Sequence, residues 1–494
     1  MIAFGLQDEA EIAIMQVLRD RKSSETDKKG ALVEEILNRI FIRTLQDTGE
    51  ILYYRDGVYV PGGREKILAE LQNLGGYEIT NHMRNEVIET IKSMTYTPRE
   101  EFDKDPNILN LKNGLLNIQT GEFRKEHDPN YLSVTQIPII YNEKAKCPNI
   151  IKFLRSTIEP EYMATVSKML GYLLLKSARY QKGFMLCGEG SNGKSVFLGL
   201  IEAFLGAENV SNVSLHDLTS DRYASAELYG KMANIFADLR ADKITDAGTF
   251  KVVVSGDRIR AQRKHQQPFT FKPYAKLIFS ANQIPETSDK SYAYFRRWVI
   301  IPFFRTFEGK NRDETLKEKL TTEEELSGLL NLALKGLKKL RDEHGFKDDD
   351  VEEIKRQYEL GASRIKTFIE EECILQPENE NLWIESDKLR EAFKAYCEKE
   401  GTSFINERKL GEELKALGIS HKQKRIGRDK RYCYFGIALK KDCLAVLDKT
   451  PTYLAIQEDH NTIERKIEGN SIETIRQFAS NSEALFFSHT AHVS

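Results

Sequence analysis

The sequence predicts an α/β protein built on a parallel sheet, with a mixed α+β region before it and a small winged helix after it. Three observations carry this. Between residues 166 and 310, short apolar runs alternate with helical stretches, the pattern of parallel strands joined by crossover helices. Inside that stretch, FMLCGEGSNGKSVFLGLI (Phe184 to Ile201) joins an apolar strand to a helix through a glycine-rich turn. Beyond residue 371, two helical patterns lead into a ribbon of alternating bases and aromatics.

At 494 residues the chain exceeds one compact core. Its texture divides into an N-terminal α+β region (1–165), the sheet core (166–310), a helical segment and linker (311–370), the winged helix (371–445) and a weakly structured tail (446–494). The formal net charge of −2 excludes a coat of basic residues but leaves room for a local basic strip. Six cysteines lie scattered, without CxxC or zinc spacing, which reads as reduced thiols. No run approaches the roughly 18 apolar residues of a membrane span. The first residues carry acids where a signal peptide needs bases, so the expected location is cytoplasmic, with no membrane partner.

In the first region, FIRTLQDTGEILYYRDGVYVP reads as strands separated by turns at Asp47-Thr48-Gly49 and Arg55-Asp56-Gly57. NHMRNEVIETIKSMTY reads as a helix capped by Asn81, and ILNLKNGLLNIQTGEF as a hairpin. FDKDP (Phe102 to Pro106) offers an acid-x-acid pair of the kind that holds metals in polymerising enzymes, but its charged, proline-ended setting reads as a solvated loop.

The run Gly188-Glu189-Gly190-Ser191-Asn192-Gly193-Lys194-Ser195 fits G-x-x-x-x-G-K-[ST] completely. Its glycines let successive backbone N–H groups face phosphate oxygens at a helix N-terminus. Lys194 is placed to neutralise β- and γ-phosphates, and Ser195 to ligate Mg2+, so ATP and Mg2+ are the expected cofactors. Gly206 is a natural stop for the helix. KMANIFADLRAD supplies a strand ending at Asp238, the metal-side carboxylate. KLIFSANQIP ends another strand beside Asn282, which can orient an attacking water. Arg296 and Arg297, just before the strand WVIIPF, suit an arginine finger reaching a neighbour's nucleotide.

The order of GEGSNGKS, the strand ending at Asp238 and FSANQIP resembles the superfamily 3 helicases of small replicons, in the branch of phage and plasmid primase C-terminal halves and the poxvirus primase-helicase. The resemblance covers about Asp105 to Gly345. It implies an AAA+-like P-loop ATPase core, a DNA partner, a hexamer and 3′ to 5′ movement, in a virus, plasmid or integrated element, alongside replication proteins such as a primase. In that family a β-hairpin between the second and third motifs grips DNA; here RIRAQR runs toward a tip, with Arg263, Lys264 and His265 as its DNA contacts, and FTFKP runs away. One departure stands out: Leu239 follows Asp238 where many relatives have a second acid, which leaves the water-activating base unassigned.

TTEEELSGLLNLALKGLKKLRDEHGF reads as a helix capped by Thr322. SDKLREAFKAYCEKEG, capped by Ser386, and NERKLGEELKALG, starting near Asn406, form the helix-turn-helix. The hairpin after them turns at Gly427-Arg428-Asp429 and brings Lys424, Arg425, Arg428 and Arg431 to backbone phosphates. Two other readings compete with a ring helicase. A primase-helicase needs paired metal-binding acids, which the first region lacks; a nucleotide-gated DNA-binding regulator would leave Asn282, the arginines and the hairpin idle.

Overall fold

A computed structural model describes residues 9–188, 190–305, 307, 315–346, 351–399, 407–427 and 429–442. The chain divides into two compact units, Met1–Tyr358 and Glu359–Ser494.

The first unit opens with α1 (Glu9–Arg19), α2 (Glu25–Arg39), β1 (Ile42–Leu45), β2 (Ile51–Arg55), β3 (Val58–Pro61), α3 (Gly63–Gly75), α4 (Asn81–Thr95) and β4 (Tyr96–Thr97). Leu32, Ile36, Ile67, Leu71, Val87 and Ile91 close one core between the helices and the sheet β3-β2-β1-β4. The β2–β3 turn holds Asp56 and Gly57 at φ +51° and +93°, the left-handed pair that a tight hairpin needs. The cap of α4 is Thr80, whose hydroxyl accepts the Met83 N–H at 3.2 Å, and Asn81 is already helical.

A meander follows, β5 (Ile108–Leu111), β6 (Gly114–Asn117) and β7 (Phe123–Arg124), then α5 (Pro148–Thr157) and α6 (Met163–Leu173). Next come β8 (Gly183–Cys187), α7 (Lys194–Leu205), β9 (Val210–Ser211), α8 (Leu215–Ser220), β10 (Ala233–Phe236) and α9 (Gly248–Ser255). The hairpin β11 (Ile259–Ala261) and β12 (Phe269–Phe271) precedes β13 (Lys276–Ala281), α10 (Tyr292–Phe295) and β14 (Trp298–Pro302). Five of these strands form a sheet of order β14-β8-β13-β10-β9, and every pairing within it is parallel. The expected parallel α/β core is therefore present, with β11 and β12 as a separate antiparallel ribbon.

Beyond the sheet come α11 (Leu316–Leu320), α12 (Glu323–Asp342) and α13 (Val351–Ala362), within which the first unit ends. Thr322 caps α12, as its sequence predicts. α12 lies so close to α6 that a Cβ on Gly336 would overlap the Ser167 carbonyl, and one on Gly171 would overlap the backbone of Leu337. That approach seals a core running from Leu109, Leu170 and Leu173 through Phe184 and Ile201 to Leu337 and Phe346. α5, α6 and α12 bury their apolar faces with the central strands.

The second unit contains α14 (Arg364–Glu372), β15 (Cys373–Leu375), β16 (Trp383–Glu385), α15 (Ser386–Lys399), α16 (Glu407–Ala416), β17 (Ser420–Ile426), β18 (Asp429–Phe435) and β19 (Ile437–Leu439). Ile365, Phe368, Leu389, Phe393, Leu414 and Ile437 form its core, so α14 joins it ahead of residue 371. The long hairpin β17–β18 pairs from Ser420↔Phe435 to Ile426↔Asp429. Ser386 begins α15, but its hydroxyl is directed to His421 (2.8 Å) and the Tyr432 carbonyl (3.1 Å). Asn406 and the 446–494 tail lie outside the described residues.

Candidate functional site

The glycine-rich turn leaves β8 at its C-terminal end and enters α7 at Lys194. Gly188 has φ +153°, and a Cβ there would overlap the Phe303 carbonyl and the Asn192 amide. Ser191 and Gly193 follow at φ +59° and +88°, folding the backbone back on itself. The end of β14 fixes the turn from the other side. Asn192 Nδ2 donates to the Phe303 carbonyl at 3.0 Å, and the Phe307 N–H donates to the Ser191 carbonyl at 2.8 Å. Glu189 lies outside the described residues.

Lys194 is buried, and its ammonium turns back into the loop. It donates to the Gly188 carbonyl, to Asn192 Oδ1 at 3.1 Å and to Asn282 Oδ1 at 3.3 Å. Asn282 stands directly after β13, whose Ala281 pairs with Cys187 at the end of β8. Ser195, one residue into the helix, is exposed, as is Gly190. Burial pushes the neighbouring Cys187 thiol up to about 12, which removes it as a nucleophile.

Asp238 follows β10 by two residues and is exposed. The next backbone N–H, of Leu239, donates to the Ser280 carbonyl of β13 at 2.9 Å, which pins this strand end beside that of β13. Lys194, Asn282 and Asp238 therefore rise from the C-terminal ends of three adjacent parallel strands, β8, β13 and β10. In open α/β sheets this rim is where ligands bind. A hydroxyl on Ser195 and a carboxylate on Asp238 are hard oxygen donors that fit Mg2+ held partly by phosphates and water. A Cβ on Gly190 would meet nothing within 4 Å, so the turn is open to a ligand there. Among the described residues, no group of three or more His, Cys, Asp or Glu side chains gathers into a metal cage of its own.

Arg296 and Arg297 stand at the opposite rim, where β14 begins: the Gly183 N–H of β8 donates to the Arg297 carbonyl at 2.7 Å. The two are not equivalent. Arg297 is 9% exposed, and its guanidinium donates to the Ala293 carbonyl and to Ser255 Oγ at 2.8 Å. Burial, and then Arg296 beside it, holds that guanidinium below its ordinary pKa. Arg296 is half-buried and reaches Gln181 Oε1 at 2.9 Å.

The ribbon β11–β12 carries its tip at Lys264 and His265, both exposed, with His265 at φ +62°. Arg263 differs from its neighbours. It lies 3.6 Å from Glu50 and over the Phe269 ring, so it anchors the ribbon to the N-terminal region. Arg99 strengthens that anchor: Asp47 fixes its guanidinium bidentately (2.8 and 2.9 Å) over the rings of Tyr229 and Phe269. Arg258, Arg260 and Lys272 share the exposed face of the ribbon. The alternation in RIRA and FTFK is the sequence signal of that face.

The FDKDP segment is not the solvated loop its composition suggests. Asp103 is buried against Lys176 and accepts from Ser133 Oγ (2.8 Å), Thr135 Oγ1 (3.1 Å) and the Val134 N–H (3.2 Å). Asp105 is exposed and accepts from the Asn107 N–H. The two acids face different partners and form no metal pair.

In the second unit, Lys424 lies 3.8 Å from the Trp383 ring centroid, and Arg431 is held by Glu385 at 2.6 Å. Arg425 is exposed, and Arg428 lies outside the described residues.

Comparison with known proteins finds similarity over both the N-terminal region and the sheet. Residues 11–159 match the family described as D5 N terminal like, and residues 186–297 match a family of unknown function (DUF5906). The chain is 26% identical over 315 residues to "Putative helicase L207/L206" of Acanthamoeba polyphaga mimivirus, covering 57% of this chain and 31% of that protein. It is 23% identical over 338 residues to "Putative helicase 121R" of Invertebrate iridescent virus 3, covering 59% and 35%. The chain thus spans about a third of the length of these curated relatives. Among solved structures, the A form apo C-terminal region of NrS-1 superposes with a TM-score of 0.44 at 12% identity, covering 82% of this chain and 98% of that one. Among the described residues no helix is long and apolar enough to cross a membrane. The residues that match the D5 N terminal like family precede the parallel sheet, and in sequence the chain is similar to viral proteins named helicases.

Proposed function

We propose that this chain is an ATP-driven DNA helicase motor of a viral or related replicon, working as a ring. The observation that carries this reading is the grouping of Lys194, Asn282 and Asp238 on three adjacent strand ends beside an open glycine-rich turn. An entering phosphate would take Lys194 from its contact with the Gly188 carbonyl, and the exposed Gly190 backbone would face the same anion. Ser195 and Asp238 would hold Mg2+, whose positive charge would offset the negative charge that develops on hydrolysis. Asn282 would hold water against the terminal phosphate.

Arg296 and Arg297 immediately precede β14, five or six residues from the rim that carries the loop. At strand rise that is roughly 16 Å, too far for either to act on its own loop and suited to action on a neighbour's. Arg296 is the more exposed of the pair and is our choice for the trans contact. The exposed tip, Lys264 and His265, would contact one phosphate of a passing strand. By likeness to the superfamily 3 helicases, the ring is a hexamer and the movement 3′ to 5′. Engagement of Asp103 by Lys176 weighs against primer synthesis by the FDKDP acids.

The test is ATP hydrolysis with and without single-stranded DNA, for the native chain, Lys264→Ala and Arg296→Ala. A ring motor predicts DNA-stimulated turnover, lost with Arg296→Ala and uncoupled from DNA with Lys264→Ala. Turnover indifferent to DNA and to both substitutions would overturn the motor in favour of a nucleotide-gated DNA-binding regulator.

A further inference from the structure

A cavity of about 580 Å³ opens at the root of the β11–β12 ribbon, between it, the segment 99–104 and the connection from α6 to β8. Its size falls in the range of roughly 300–1,000 Å³ typical of small-ligand sites. Arg179, Arg258 and Lys272, from three different stretches of chain, stand exposed around it. Half-buried Tyr229 and Tyr274 contribute aromatic wall. The deeper cations are already committed, Arg99 to Asp47 and Lys176 to Asp103. Lys104, also on the wall, lies 3.2 Å from Glu101.

The exposed cations are poorly balanced. Arg258 has only a 3.7 Å approach to Glu100, with both side chains well exposed. Arg179 rests over the Tyr180 ring, and neither it nor Lys272 has an ion pair among the described residues. Ile259 pairs with Phe271, so Arg258 and Lys272 flank that pair side by side at the ribbon's open end. Like charges across a ribbon repel, and an anion between them removes the penalty. Arg260, opposite Thr270, lies on the same exposed face and extends it toward Lys264 and His265 at the tip. A basic track thus runs from the tip to the cavity.

We propose that this cavity receives one or two nucleotides of the single strand gripped at the ribbon tip, with Arg258 and Lys272 on its phosphates and the tyrosine wall beside its bases. The inference rests on the helicase reading for the direction from which the strand arrives. Its chemistry, a phosphate ester carrying a base, would also describe a free nucleotide, and the experiment separates the two.

Anisotropy of a fluorescein-labelled oligothymidylate is measured across a salt series with the full chain, Arg258→Ala/Lys272→Ala, Lys272→Ala alone and Lys264→Ala. Loss of two phosphate contacts is expected to weaken binding several-fold and to lower the salt slope by about 1.4, at about 0.7 per contact on a single strand. Lys272→Ala alone should give about half that slope change. DNA-independent ATP hydrolysis and the melting temperature should stay at native values, since both side chains are exposed. If the double variant binds like the native chain while Lys264→Ala weakens, the cavity proposal is overturned and the motor stands. If the double variant weakens and Lys264→Ala does not, the cavity site stands and the tip loses its assigned grip. Thymidine monophosphate is added as competitor: displacement of the strand from the native chain at micromolar concentration would assign the cavity to a free nucleotide and overturn the strand.

Discussion

Lys194 Nζ donates to Asn282 Oδ1 at 3.3 Å, a hydrogen bond joining the first turn of α7 to the end of β13. Two residues 88 positions apart are thereby held at one strand-end rim, and neither can move without disturbing the other. Asn282→Ala is expected to lower kcat about a hundredfold, the usual cost of removing one oriented polar group from a reacting centre. Nucleotide affinity should change little. Lys194→Ala should abolish both binding and turnover. Nucleotide titration beside steady-state hydrolysis checks the split, and an Asn282→Ala protein that hydrolyses normally would remove Asn282 from the reaction.

The two glycines at the head of the loop make a sharper contrast. Gly188 has φ +153° and a Phe303 carbonyl where a methyl would go, whereas Gly190 faces open space. Gly188→Ala should cost about 1–3 kcal/mol through backbone strain, besides displacing Asn192, and so lower the melting temperature. Gly190→Ala should melt like the native chain yet bind nucleotide less well, because its methyl occupies the ligand's space. Calorimetric melts with and without ATP distinguish a structural glycine from a binding one.

The Asp103–Lys176 pair predicts an effect that a solvated loop would not. Both side chains are at most 3% exposed, so Asp103→Ala leaves a buried ammonium without its partner. The expected loss is about 3–5 kcal/mol. Asp105→Ala should cost about 1 kcal/mol, the worth of one exposed turn hydrogen bond. Chemical denaturation of the two variants measures both. The Asp103→Leu/Lys176→Met double variant should recover only part of the loss, since it leaves no unpaired charge but deprives the Val134 N–H and the Thr135 hydroxyl of their acceptor.

These features differ in how far the sequence reveals them, for a physical reason. The loop from Gly188 to Ser195, the helix stop at Gly206 and the cap at Thr322 depend on residues a few positions apart, so local pattern suffices. The burial of Asp103 depends on Lys176, 73 residues away, and on Ser133 and Thr135. No local pattern carries that information. Adjacent arginines at 296 and 297 look interchangeable in the sequence; the bend from α10 into β14 turns Arg297 toward Ser255 and leaves Arg296 the more exposed. Ser386 has the residue type and position of a helix cap, yet its hydroxyl is taken by His421 and Tyr432, brought close by the β17–β18 hairpin.

The same distinction between available and committed cations applies to that hairpin. Arg431 is bound by Glu385 at 2.6 Å, and this hydrogen bond, ahead of any burial, holds the Glu385 carboxyl below its ordinary pKa. A phosphate would have to displace Glu385 to gain Arg431. Glu385→Gln should therefore tighten DNA binding and steepen its salt dependence by about 0.7–0.9 per phosphate gained, whereas Arg431→Ala should change binding little. The depressed carboxyl also sets a sign for stability. The pair's contribution is fully present above the unfolded glutamate value, near 4.5, and fades as the pH falls through the lower folded value. Glu385→Gln lacks that contribution, so its melting temperature should fall less steeply than the native one on acidification below pH 4.5. Tighter DNA binding without the altered acid limb would mean that Glu385 repels DNA directly and does not act by restraining Arg431.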